Sequence, residues 1–169
     1  MSMKIHKVRF YILFLLTLLS AFSEAAVASI DRFGFYAAYS TASLEGINNF
    51  ISKLDNACSS PENNAFLGAL FMRKAGLISD RKDQLNLFKK GRVLLEKEIE
   101  GSPNNAEYRF LRITIQEQAP RILGYNRNLD QDKKILVKSF KDLNKETQKA
   151  IISYAKKSHL LKGVDFVLE

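Results

Sequence analysis

The sequence predicts an all-α fold of stacked antiparallel helical hairpins, about five to six helices in all, and three observations carry that expectation. No segment alternates apolar and polar residues with the period of two that a half-buried strand requires. Apolar residues recur instead at spacings of three and four, as the inner face of a helix demands. Helix punctuation, a serine, aspartate or asparagine before such a run and a glycine after it, returns at short intervals.

Before the first clear helix, "SIDRFGFYAAYS" gathers Phe33, Phe35, Tyr36 and Tyr39. They are expected to cover a neighbouring face, because an exposed aromatic cluster would be sticky. In "TASLEGINNFISKLDNA", Leu44, Ile47, Ile51 and Leu54 form one apolar face, with Ser40 or Thr41 as the cap. "SSPENNAFLGALFMRKAG" places Ser60 at the N-cap, Pro61 at the first helical position, where a missing N–H is harmless, and Gly76 at the stop. Gly68 and Ala69 are small enough to let another helix approach closely.

"SDRKDQLNLFKKGRVLLEKEIEG" starts from Ser79 or Asp80, turns Leu87, Phe88, Gly91, Leu94, Leu95 and Ile99 inward, and stops at Gly101. The next helix is expected to open at Ser102 and Pro103, repeating the device used at Ser60. "SPENNAF" and "SPNNAEY" lie forty-two residues apart, Pro61 to Pro103. Helical hairpins repeat with periods of about 33 to 47 residues, since each must stack on the next to bury its apolar face. After the irregular "PRILGYNRN" come two shorter helices, near Leu129 to Lys141 and Lys145 to Leu160, with Asn128 and Asn144 as caps. Leu136, Phe140, Leu143, Thr147, Ile151 and Tyr154 also fit one longer helix.

Residues 1–25 read as a secretory signal peptide: Lys4, Lys7 and Arg9 precede an apolar run from Phe10 to Leu19, and Ser23 and Ala25 suit cleavage before Ala26. Ala26 and Ala28 offer a second cleavage site. The apolar run is too short for a membrane-spanning helix, which needs about 20 residues. No transmembrane segment is therefore expected in the mature chain, residues 26–169, read as a single helical domain with hairpins at about 43–118 and C-terminal helices at about 129–160. Export is therefore expected, to a periplasm or to the cell exterior.

Removing residues 1–25 takes the formal charge from +8 to +6, so the mature chain stays basic. Cys58 is its one cysteine and cannot form an internal disulfide; a small buried hydrophobe near a helix end is the expected role, an intermolecular disulfide or reactive thiol the alternative. Lysines concentrate in the last third, at Lys133, Lys134, Lys138, Lys141, Lys145, Lys149, Lys156 and Lys157, with Asp130, Asp132, Asp142 and Glu146 interleaved. A solvated face is the first reading, weak contact with an anionic membrane surface the second. Export and the lack of a recognition or stacking motif argue against nucleic acid.

The stretch from Leu87 to Leu111 resembles the junction between two tetratricopeptide repeats: Gly91, Leu95, Pro103, Asn104, Asn105 and Tyr108 occupy comparable places. It departs from that pattern at Glu98, where alanine is usual, and at Arg112, where glycine is frequent. More broadly, "NAFLGALFMRKAG", "FKKGRVLLEKEIE" and "PNNAEYRFLRITIQEQAPRILGY" resemble a group of small, exported, uncharacterised bacterial helical proteins. The resemblance implies a tetratricopeptide-like stack and, with it, a groove lined by first helices that binds peptides or proteins.

Catalytic motifs are sparse. His159 is the one histidine of the mature chain, which excludes a multi-histidine metal site; near a helix end it suits the helix dipole. Neither a Gly-x-Ser-x-Gly elbow nor a glycine-rich phosphate loop occurs. Glu96, Glu98, Glu100, Asp130 and Asp132 lie in charge-rich segments typical of solvated helix faces. No catalytic residue, metal or cofactor is expected.

What stands out is Arg109, Arg112 and Gln116, which share one narrow sector of their helix, flanked by Tyr108, Leu111 and Ile115 on one side and Phe110 and Ile113 on the other. Two readings follow. The arginines clamp internal carboxylates, Glu96 or Glu100 of the preceding helix, with their stems laid on apolar surface. Alternatively Tyr108, Arg109, Arg112, Gln116 and Tyr125 line a groove that recognises a carboxylate or peptide backbone. The expected function is a non-enzymatic protein- or peptide-binding scaffold module of the bacterial envelope. The alternatives are a basic helical protein held at anionic envelope surfaces and, ranked below it, a small envelope enzyme.

Overall fold

The computed structural model describes residues 30–41 and 43–168, and the expected signal peptide lies outside them. Among the described residues there are seven α-helices and no strand: α1 Arg32–Thr41, α2 Leu44–Asp55, α3 Pro61–Ala75, α4 Arg81–Gly101, α5 Ala106–Gln116, α6 Leu129–Ser139 and α7 Lys145–Ala155. Short 3-10 turns occupy Arg121–Leu123 and Phe140–Asp142, the second dividing α6 from α7. The all-α expectation holds, with one helix more than expected.

The added helix is α1. Its inner face, Phe35, Tyr36 and Tyr39, is buried as expected of a covering segment, while Phe33 points outward at 78% exposure. The Phe35 ring packs tilted against that of Phe66 on α3, their centroids 4.4 Å apart, and this packing holds α1 against the helix it covers. Ser40 and Thr41 do not cap α2; their hydroxyls donate back to the carbonyls of Ala37 and Ala38 at the end of α1. The cap is Ser43, whose hydroxyl accepts from the Gly46 amide.

Ser60 and Pro61 take the expected cap and first-turn positions of α3, and Asp80 caps α4 by accepting from the Asp83 amide at 2.9 Å. The matching start at Ser102 is overturned. Ser102 closes α4 by donating its amide to the Glu98 carbonyl, and α5 begins at Ala106 with Asn105 as its cap. The connection is so short that its serine is needed to end one helix and cannot open the next. Asn144 caps α7 through the Thr147 amide, whereas Asn128 precedes α6 without a side-chain cap bond.

Helix α7 ends at Ala155, short of the expected Leu160, because Glu117 captures the chain that follows. Its carboxylate accepts from the Ser158 hydroxyl and from the amides of His159 and Leu160, and a longer helix would have used those two amides internally. His159 is exposed in this turn. Cys58, expected to be buried, is exposed in the connection between α2 and α3, beyond the last turn that could have sheltered it.

Helix α3 packs on α2, α4 and α5, and α1 packs on α7, so the first and last helices meet. At the centre lies α5, in which all residues from Ala106 to Gln116 are buried. A helix buried on every side is ordinarily apolar. This one carries Glu107, Arg109, Arg112, Thr114 and Gln116 into the core, where a polar group left without a partner is costly.

Candidate functional site

Two fully or nearly buried carboxylates, Asp132 of α6 and Glu107 of α5 itself, organise the polar side chains of the core. On α6, Asp132 is fully buried between two guanidinium groups. Arg112 approaches it in a fork, Nε to Oδ2 and Nη2 to Oδ1, both at 2.7 Å, while Arg109 Nη1 donates to Oδ1 at 2.9 Å. Arg109 also donates from Nε and Nη2 to the Pro103 carbonyl, at 3.0 and 2.6 Å, tying the α4–α5 connection to the same cluster. The remaining Arg112 nitrogen reaches Glu96 on α4 at 2.5 Å, and Tyr125 donates its hydroxyl to the other Glu96 oxygen.

Two arginines and two carboxylates balance in charge across α4, α5 and α6. Burial works against the charged form of Arg112, but the Asp132 and Glu96 carboxylates outweigh it and hold the guanidinium pKa above its ordinary value. The second carboxylate is Glu107, which accepts from Arg32 and Tyr36 of α1 and from Thr147 of α7, the last at 2.5 Å. Arg32 is further paired with Glu62 of α3. Glu107 therefore gathers α1, α5 and α7 around one buried acid, and Arg32 adds α3.

Of the five residues singled out in the sequence, Arg109 and Arg112 direct their heads at internal carboxylates. Tyr108 is buried against the core. Gln116 and Tyr125 instead lie on the wall of a cleft of about 810 Å³ between α4, the end of α5 and the loop Leu123–Asn128. Glu96, shared by Arg112 and Tyr125, belongs to the same wall. Arg92, Lys97 and Arg127 stand exposed around it, Arg92 lying 5.1 Å from the Tyr125 ring centroid.

Asp132 was expected on a solvated face, and its burial corrects that. Its signal in the sequence is position: Leu129 three residues before and Leu136 four after put it on the inner stripe of α6, where an acid needs a cation. Arg32 carries the same signal, three and four residues before Phe35 and Tyr36.

Every tyrosine among the described residues is held above the ordinary phenol range. Burial pushes Tyr39 and Tyr108 up to about 12, with the nearby carboxylates of Glu62, Glu98 and Glu107 adding to the effect at Tyr108. Burial and then Glu107 raise Tyr36, and burial and then Glu96 raise Tyr125. Because the unfolded chain ionises first, stability is intact below about pH 10 and falls as pH climbs toward about 12. The chain has no tryptophan, so tyrosinate absorbance reads these groups cleanly. The expected titration of residues 26–169 shows no tyrosinate near pH 10, then a cooperative rise together with loss of helical circular dichroism. Tyrosinate appearing near pH 10 with the helical signal intact would show that the phenols are open to solvent.

Among the described residues no group of three or more histidine, cysteine, aspartate or glutamate side chains is placed to hold a metal ion, and no helix is long and apolar enough to cross a membrane. No protein-family model, curated protein or solved structure matches the chain.

Proposed function

We propose that this chain is an exported, non-enzymatic module of the bacterial envelope that binds a protein or peptide, built from tetratricopeptide-like helical hairpins. The observation that carries this reading is the cleft beside Gln116 and Tyr125, whose size of about 810 Å³ is within the range of ligand sites. Its wall is braced from behind by the Arg112, Asp132 and Glu96 pairs, so the surface offered to a partner is preorganised. The α3–α4 hairpin, closed through small residues, supports the tetratricopeptide-like character.

A photo-crosslinking residue at Val93, 68% exposed on this wall, tests the proposal in the native envelope, with Glu45 on α2 as an exposed control. Mass spectrometry is expected to identify a protein or peptide captured from Val93 and not from Glu45. Identical capture from both positions, or none from Val93, would count against a binding role for the cleft.

A further inference from the structure

Gln116 ends α5 on the wall of this cleft and is only 3% exposed, yet neither its amide nitrogen nor its amide oxygen has a protein hydrogen-bond partner. A primary amide offers two donors and an acceptor, and buried polar groups are paired in the great majority of cases. The polar groups beside it are already committed. Arg112, one turn earlier, is bound to Asp132 and Glu96, and both Glu96 oxygens accept, one from Arg112 and one from Tyr125. An unpaired amide in a core that satisfies Glu107, Arg109 and Asp132 so fully is a local exception, and such exceptions collect where a ligand completes the pairing.

We infer that Gln116 pairs with the main chain of an extended peptide segment from a partner protein, and that the segment carries acidic side chains. The amide geometry selects the first half of this assignment. In an extended chain the N–H and C=O of one residue, which belong to adjacent peptide units, point to the same side, and together they complement a glutamine amide that needs both an acceptor and a donor. The charges around the cleft select the second. Arg92, Lys97 and Arg127 are exposed on its wall, while Glu96 is neutralised within the protein and leaves Glu100 as the one lining acid facing three cations. Carboxylates on the incoming segment would meet these cations at the rim while the main chain reaches the amide below.

This assignment rests on the peptide-binding reading, and the test separates the two. A random heptapeptide library displayed on phage is selected against residues 26–169 at low salt, in parallel with Gln116→Met and with the double variant Arg92→Glu, Arg127→Glu. Peptides enriched in aspartate and glutamate are expected. Their affinity is expected to fall roughly tenfold on Gln116→Met, the loss of about one well-placed buried pairing, and to fall also on the double variant. Free of peptide, Gln116→Met is expected to melt a few degrees higher, because a thioether replaces an amide that has no partner.

Methylating single backbone nitrogens of a selected peptide gives a readout that needs no variant, and one position is expected to lose binding while its neighbours tolerate the change. Equal binding to Gln116→Met, uniform tolerance of methylation, or a lower melting temperature for Gln116→Met would overturn the amide assignment and leave peptide binding standing. Enrichment of basic or apolar peptides would overturn the acidic segment. No enrichment at all would sink peptide binding in the cleft along with both assignments.

Discussion

Asp132→Ala is expected to lower the melting temperature by roughly 10 °C or more, a loss of about 3–5 kcal/mol, whereas Asp130→Ala stays within about 2 °C of the parent. The two aspartates sit two residues apart on α6, one fully buried and the other exposed. Removing Asp132 strips Arg112 of its fork and Arg109 of its carboxylate, leaving two guanidinium groups buried with only Glu96 and the Pro103 carbonyl to meet them. Uncompensated buried charge, more than the lost attraction, makes such a change severe. Arg112→Ala follows in the same direction with a smaller loss, since Arg109 still answers Asp132. Thermal unfolding followed by circular dichroism decides the matter, and similar melting of the two aspartate variants would mean that Asp132 is not held as described. High salt is expected to narrow the difference little, because buried pairs are weakly screened.

The fold class and most helix boundaries are legible because they depend on local physics: apolar spacing, cap chemistry and the placement of glycine. Where several local signals compete, the sequence misleads. Ser102 looks like the cap at Ser60, but the neighbouring helix needs it as a stop and Asn105 takes over the start. Helix α1, with Gly34 and a run of aromatic residues, has weak intrinsic helix signals and is held by packing of Phe35 on Phe66, which no local pattern shows. Glu117 ends α7 from another part of the chain, and that too is invisible locally.

The site was half legible for the same reason. The spacing of Arg109, Arg112 and Gln116 marks a polar stripe within an apolar helix, and Glu96 was among the expected partners of the arginines. Asp132 was hidden by its neighbours, since "DQDKK" has the charge density of a solvated surface even though one of its acids faces inward. Unequal satisfaction along the stripe, full for the arginines and absent for Gln116, depends on three-dimensional geometry and could not be read from spacing.

Gly91→Ala is the other substitution expected to be severe, at about 3 kcal/mol or more, even though alanine favours a helix over glycine by about 1 kcal/mol. Helices α3 and α4 cross at Gly68 and Gly91 with backbone against backbone. A Cβ at Gly91 would lie 2.9 Å from the Met72 amide nitrogen and inside contact distance of the Gly68 carbonyl; one at Gly68 would lie 2.7 Å from the Gly91 carbonyl. Side chains can rotate out of such a clash, but backbone cannot, so the two helices must separate and lose dispersion contacts along the shared surface. Gly101, also on α4, has nothing within 4 Å of the corresponding point, so Gly101→Ala is expected to be neutral or slightly stabilising. Denaturant unfolding of the pair separates helix propensity from close approach: equal midpoints would mean that the crossing is looser than the geometry indicates. Displacing α4 also reaches the cleft, because Arg92 and Glu96 follow Gly91 on the same helix and Glu96 must meet Arg112 and Tyr125 at once. Two glycines at a helix crossing thus set the distance on which the buried arginine cluster and its adjoining cleft depend.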